Sequence, residues 1–199
     1  MVNFKYQESI TSEELEKYEL SWFKGRIIVV EDLDSFRDNF HLLLDSPVLG
    51  FDTETKPSFR KGRKNRVSLI QLANDEVAIL VRINKIGIPA ELADLLSDPG
   101  IIKAGVAIHD DIRFLKSVKK FIPSGFIDLQ KLVKDYGILS SGLKKLSAIV
   151  LGFKISKKQQ ITDWEAEALS EAQIIYAATD AWVCHEIYNR LINHSVISE

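Results

Sequence analysis

Cysteine is almost absent from this sequence: Cys184 is the only one in 199 residues. No internal disulfide can form, and no cluster of Cys and His has the spacing of a zinc site. Long apolar runs are missing too. Ile27 to Val30 and Val77 to Val81 fall far short of the roughly 20 residues that cross a bilayer. Met1 to Glu8 lack the basic head and apolar stretch of a signal peptide. Neither sign of charge dominates, since 26 Lys and Arg against 28 Asp and Glu leave a net charge of -2. These absences exclude a disulfide scaffold and a helical membrane protein. They point to a soluble, cytoplasmic chain with a reduced thiol and no membrane partner. They also require any contact with nucleic acid to come from local basic clusters rather than from the field of the whole molecule.

What is present is ordinary for a globular protein: 46% hydrophobic and 27% charged residues. The length fits one domain with a substantial core. We divide it into a polar N-terminal arm, residues 1–24, and a domain, residues 25–199. Within the arm, Ser12-Glu13-Glu14-Leu15 reads as a short helix capped by Thr11 or Ser12. Arg26 to Val30 is β-branched and reads as a strand, and Leu33 to Leu44 has the apolar spacing of an amphipathic helix. Val48 to Thr53, Val67 to Ala73 and Val77 to Val81 form three successive strands, the last two joined by a turn at Asn74-Asp75-Glu76. A helix from Pro89 to Ser97, a strand from Ile101 to Val106 and a helix from Asp110 to Val118 follow. Phe126 to Asp128 is a short strand, and Leu129 to Tyr136 a helix ended by Gly137. Helices from Leu143 to Leu151 and from Ser170 to Ile192 complete the chain. A meander of strands, then alternation, then helices predicts an α/β domain with a central mixed β-sheet flanked by helices. Cys184, next to Trp182 and Val183, reads as a buried helical thiol.

Three groups of acids carry the chemistry. In Gly50-Phe51-Asp52-Thr53-Glu54 the acids stand two apart on an apolar strand and share a face. Two carboxylates side by side repel unless a cation lies between them, and oxygen ligands suit Mg²⁺ or Mn²⁺. A strand end reaching solvent, with both acids hydrated, is the other reading. Tyr176 and Asp180 stand four apart on a helix, about 6 Å along its axis, so they share a face. Around them Ala177, Ala178 and Ala181 allow close approach to another element; a packed tyrosine and a surface acid are the alternative. Between Gly105 and Ile112 a strand gives way to a helix at Asp110-Asp111, where acids can also simply cap the helix. Four acids drawn from three elements can hold two divalent ions about 3.5–4 Å apart.

These residues in this order resemble the tyrosine subgroup of the DEDD 3′→5′ exonucleases, the group that includes ribonuclease D and the Werner syndrome exonuclease domain. Asp52-Thr53-Glu54 matches the first motif, Asp-x-Glu, and Tyr176 with Asp180 matches the third, Tyr-x-x-x-Asp. Asp111, six residues after Gly105, is the better match to the lone Asp of the second, although Asp110 adjoins it. The likeness extends to Lys56-Pro57-Ser58-Phe59, to Val67 through Ala73, and to Gln159 through Trp164 before Tyr176, covering about Arg26 to Arg190. The resemblance implies a ribonuclease H-like fold and a two-metal mechanism with Mg²⁺ or Mn²⁺. One ion, on Asp52, Glu54 and Asp180, holds the attacking water, and the second, on Asp52 and Asp111, stabilises the leaving 3′ oxygen. Tyr176 orients the water, because a phenol is a poor base at neutral pH. The substrate implied is a nucleic acid 3′ end, released as nucleoside 5′-monophosphates, with DNA favoured over RNA by the Werner-type look of residues 56–73. Ribonuclease D-like processing of RNA 3′ ends and a non-catalytic nucleic-acid-binding module are the alternatives.

Lys56, Arg60, Lys61, Arg63, Lys64 and Arg66 make a basic run with no acid among them, just beyond the first motif. A solvated loop is the plain reading of such a run. Its position makes it our candidate for binding the phosphate backbone, with salt-sensitive affinity. Phe59 can stack on a base or pack down, His109 opens a helix, and Trp164 and Trp182 read as packing residues.

Overall fold

The structure, a computed structural model, describes residues 6–57 and 67–195. The chain runs α1 (Ser12–Glu16), β1 (Arg26–Val30), α2 (Leu33–Phe40), β2 (Val48–Thr55), β3 (Val67–Ala73) and β4 (Val77–Val81). It continues with α3 (Ile83–Ile86), α4 (Ala90–Ser97), β5 (Ile102–Gly105) and α5 (His109–Val118). β6 (Phe126–Asp128), α6 (Leu129–Leu132), α7 (Leu143–Leu146) and α8 (Glu171–Ser195) follow. The six strands form one mixed sheet in the order β1-β4-β3-β2-β5-β6. β2, β3 and β4 are the antiparallel meander, while β1 joins β4, and β5 and β6 extend from β2, in parallel.

Local chemistry sets the joints. Asn74 closes the β3–β4 turn by accepting from the amides of Glu76, at 3.0 Å, and Val77, at 2.7 Å. Thr11 caps α1 through a reciprocal box with Glu14. The two helices expected around residues 129–136 and 143–151 change pitch in their last turns. Val133–Tyr136 tightens to a 3₁₀ turn, and Ser147–Leu151 widens to a π turn in which the Ser147 hydroxyl donates to the Phe153 carbonyl at 2.7 Å. Both end on glycines in the left-handed region, Gly137 at φ 75° and Gly152 at φ 83°.

The period of two along β2 divides its side chains between two layers. Leu49 and Phe51 join Phe36 and Phe40 of α2, Leu92 and Leu96 of α4 and Leu115 of α5. Gly50, Asp52 and Glu54 turn to the opposite face, where α8 crosses the sheet. There Ala177, Ala178 and Ala181 pack with Leu69, Leu80 and the fully buried Trp164. Cys184 is buried in α8 with Val183 and Ile187. Each Val, Leu, Ile or Phe side chain so removed from water contributes about 1.5–3 kcal/mol before entropy is counted. Of the segment ahead of β1, Ile10 and Leu15 are buried against Ala148. Among the described residues, no helix is long and apolar enough to cross a membrane.

Candidate active site

α8 comes so close to β2 that a Cβ on Gly50 would stand 1.8 Å from the Ala181 carbonyl oxygen. That approach delivers Asp180 to Asp52 and Glu54, and one carboxylate oxygen from each of the three lies within 4.8 Å of the others. Beside Glu54 the β2–β3 register shifts at Glu54/Thr55, so the ladder is interrupted where the acids cluster. Glu54 and Asp180 are only 9% and 6% exposed, so neither charge is well hydrated. Burial, then the charges of Asp52, Asp180 and Asp111, push the Glu54 carboxyl up to about 10. Burial raises Asp180 to about 7 against the opposing pull of the Tyr176 hydroxyl and Lys157. Asp52 is raised well above the usual carboxylate range by burial, then by Asp180 and Asp111. Such groups hold protons or a cation.

Tyr176 lies one turn before Asp180 and is itself buried; burial, then Asp180 and Glu54, hold its phenol protonated. Asp111 stands outside the three-acid group, across the phase of β2. Thr53, which points to the α5 side, donates its hydroxyl to Asp111 Oδ1 at 2.5 Å, and burial raises the Asp111 carboxyl. Asp110 instead pairs with Arg113 at 3.0 Å on the surface of α5. The β5–α5 turn that sets this phase passes through Ala107 at φ 58°, whose amide donates to Asp128 Oδ1 at 3.1 Å.

Asp52, Glu54, Tyr176 and Asp180 line a cleft of about 270 Å³. Lys144, Lys157 and Gln160 also line it, residues the sequence reading did not single out. The available signal was Lys157-Lys158 in the run leading to the third motif. Gln71, on β3, was not singled out from the sequence either. It faces Asp52 directly in the β2–β3 ladder, is fully buried, and neither polar atom of its amide has a hydrogen-bond partner among the described residues. Of the basic run, Lys56 reaches Asp163 at 3.0 Å and Glu165 at 3.7 Å. Arg60, Lys61, Arg63, Lys64 and Arg66, with Phe59, lie outside the described residues. His109 is exposed at the start of α5, and Trp182 stacks on Phe153 at 5.6 Å.

The donor set fits a hard divalent cation. It is all oxygen, with Glu54 and Asp180 buried and Asp52 half-buried, and among the described residues Asp180 Oδ1 has no hydrogen-bond partner. Residues 27–194 match the family model described as 3'-5' exonuclease. This chain belongs to the 3'-5' exonuclease family. Against the human exonuclease 3'-5' domain-containing protein 2 it is 33% identical over 164 residues, 76% of this chain and 26% of that protein. Against the mouse bifunctional 3'-5' exonuclease/ATP-dependent helicase WRN it is 33% identical over 158 residues, 76% of this chain and 11% of that protein. The solved structure of Escherichia coli RNase D, described as an exoribonuclease in structured RNA processing, superposes with a TM-score of 0.73 at 27% identity. It covers 88% of this chain and 46% of that one. This exonuclease family member thus has the ribonuclease H-like fold and spans about a quarter or less of those first two relatives.

Proposed function

We propose that the chain is a metal-dependent 3′→5′ exonuclease of the tyrosine DEDD subgroup, removing nucleotides singly from a nucleic acid 3′ end. The observation that carries this reading is the group of Asp52, Glu54 and Asp180 oxygens within 4.8 Å, in a setting where none of the three is comfortable as a bare anion. Asp52, Glu54 and Asp180 are the residues to hold one Mg²⁺ or Mn²⁺, and Asp52 with Asp111 a second. Bound there, divalent ions make water a nucleophile at neutral pH and neutralise charge on the phosphate and the leaving oxygen.

The chain's own groups do the rest. Tyr176 is held protonated with its hydroxyl donating to Asp180, so its oxygen orients the attacking water by accepting a hydrogen bond rather than removing its proton. Thr53 fixes the Asp111 carboxylate by donating to one oxygen and leaving the other for ligation. Lys157, on the wall of the cleft, places a positive charge opposite the acids and attracts the phosphodiester. Burial of Glu54 and Asp180 excludes bulk water and strengthens each of these contacts.

DNA is our preferred substrate, on the likeness of residues 56–73 to the Werner-type branch, and the basic run from Lys56 to Arg66 is our candidate to grip its backbone. We assign residues 25–199 as the catalytic unit and 1–24 as an N-terminal arm. The test is matched 5′-labelled DNA and RNA oligonucleotides incubated with Mn²⁺. A ladder of products shortened one nucleotide at a time is expected, faster on DNA, and absent with Asp52→Ala or Asp180→Ala. Shortening that persists in both variants of the purified protein would refute the assignment, and faster cleavage of RNA would reverse the substrate preference alone.

A further inference from the structure

Next to the acid cleft lies a second cavity, of about 220 Å³, and Tyr176 and Asp180 line both. Its apolar lining includes Leu20 and Trp22, from the segment before β1, and Ile175 of α8. Ser21 and Gln159 add polar groups, and Lys158 adds a cation. Leu20 and Trp22 are 52% and 42% exposed, a large apolar surface left open beside a buried charged site.

The segment that carries Trp22 is fastened on both sides. The Ser21 amide donates to the Lys154 carbonyl at 2.9 Å, and the Phe23 amide donates to Thr179 Oγ1 at 3.1 Å. Thr179 is the neighbour of Asp180 in α8 and is itself anchored, its hydroxyl donating to the Ile175 carbonyl at 2.6 Å. Phe23 is buried with its ring 5.9 Å from that of Trp182. Trp22 is therefore held in fixed relation to the acids. The Lys24 ammonium sits 3.1 Å from its ring centroid, which adds positive charge to this wall.

We propose that this cavity takes an unpaired nucleobase of the substrate strand, adjacent to the scissile phosphate. The proposal rests on the exonuclease reading and adds a specificity to it. A nucleobase combines an apolar π face, suited to Trp22 and Ile175, with a polar edge suited to Ser21 and Gln159. It is tied to a phosphate, which suits Lys24 and Lys158. Tyr176 and Asp180, which line both cavities, set this one beside the place where that phosphate reacts. A base still paired in a duplex has its edge engaged and cannot turn into the cavity, so single-stranded 3′ ends are preferred.

The test uses the full chain, Mn²⁺ and 5′-labelled single-stranded oligonucleotides that differ by one abasic residue, at the last or the next-to-last position. The unaltered protein is expected to lose about 10-fold in kcat/KM at one of those positions, a size typical of base stacking on an aromatic side chain. Trp22→Ala should lose a similar factor on the unmodified strand and show no further penalty for the abasic residue, because one contact has been removed from either side. Trp22→Phe should restore most of the loss, and thermal melting confirms that each variant folds. Anisotropy of the same strands in EDTA, where no cleavage occurs, gives the comparison for binding alone. An abasic penalty that is absent, or equal with and without Trp22, overturns the base site and leaves the exonuclease reading intact. If no strand is shortened yet the penalty appears in anisotropy, the exonuclease reading fails and the base site stands; if neither is seen, both fail.

Discussion

Thr53 and Asp111 are 58 residues apart, and the hydroxyl of one donates to a carboxylate oxygen of the other at 2.5 Å. The bond joins the first acid strand to the second acid helix. It holds Asp111 beside the acid strand, whereas Asp110 pairs with Arg113 at the surface. Thr53→Val keeps the side-chain shape and removes the donor. A hydrogen bond to a charged group is worth about 1.5–3 kcal/mol, so kcat should fall roughly 10- to 100-fold. Asp111→Asn should be at least as severe, and Asp110→Asn close to neutral. Steady-state kinetics on one oligonucleotide with all three variants checks the order, and severe loss in Asp110→Asn with a silent Thr53→Val would reassign the ligand.

The acid cluster makes stability depend on pH in a definite direction. Glu54 is raised to about 10 and Asp180 to about 7, so between the ordinary carboxylate range and those values the folded chain binds more protons than the unfolded one. Stability then falls as pH rises, by about 1.4 kcal/mol per pH unit for each proton held only in the folded state. Metal-free protein is expected to melt at a lower temperature at pH 8 than at pH 5.5. Mn²⁺ should reverse this, with a larger increase at the higher pH and release of protons on binding. Calorimetric melts at several pH values, with and without Mn²⁺, measure both effects.

Gly50→Ala places a methyl group inside the β2–α8 contact, 1.8 Å from a backbone oxygen that has little room to move. A loss of about 3 kcal/mol or more in chemical denaturation is expected, at the upper end of what overpacking costs. Mn²⁺ affinity should fall with it, because α8 carries Asp180. A neutral result would mean that β2 and α8 are not held this closely.

Lys157→Ala removes the positive charge from the wall of the acid cleft. KM should rise more than kcat falls, by about 5- to 10-fold, and the salt dependence of binding should lose roughly one phosphate contact. Affinity measured across a series of salt concentrations gives the slope directly.

Much of the site is written in short spacings. Asp52 and Glu54 share a face because a strand repeats every two residues, and Tyr176 and Asp180 because a helix turns every 3.6. The small residues at 177, 178 and 181 announced a close helix–sheet contact, and Gly50 supplies the other half of it. Spacing from Gly105 favours Asp111 over Asp110 in the sequence, but the bond to Thr53 was not legible, because it depends on the phase of α5 after the turn at Ala107 and joins residues 58 apart. Lys157 and Gln160 sit in a loop without periodicity, where the Lys157-Lys158 pair and the run to Trp164 were signals that do not fix which side chains enter the cleft. Trp22 follows a polar stretch that carries no local sign of a site. Its place beside Asp180 follows from the Phe23 amide meeting Thr179, a contact between residues 156 apart. The π turn at Ser147–Leu151 was equally hidden, since it rests on one hydroxyl and one carbonyl.

The claim beneath all of this is that Asp52, Glu54 and Asp180 tolerate one another because a divalent cation belongs between them. Anomalous diffraction from manganese-soaked crystals tests it most directly. The account predicts a strong peak within ligation distance of all three carboxylates, and its loss in Asp180→Asn crystals. Manganese bound only to other surface acids, with these three carboxylates metal-free at saturating concentration, would contradict it.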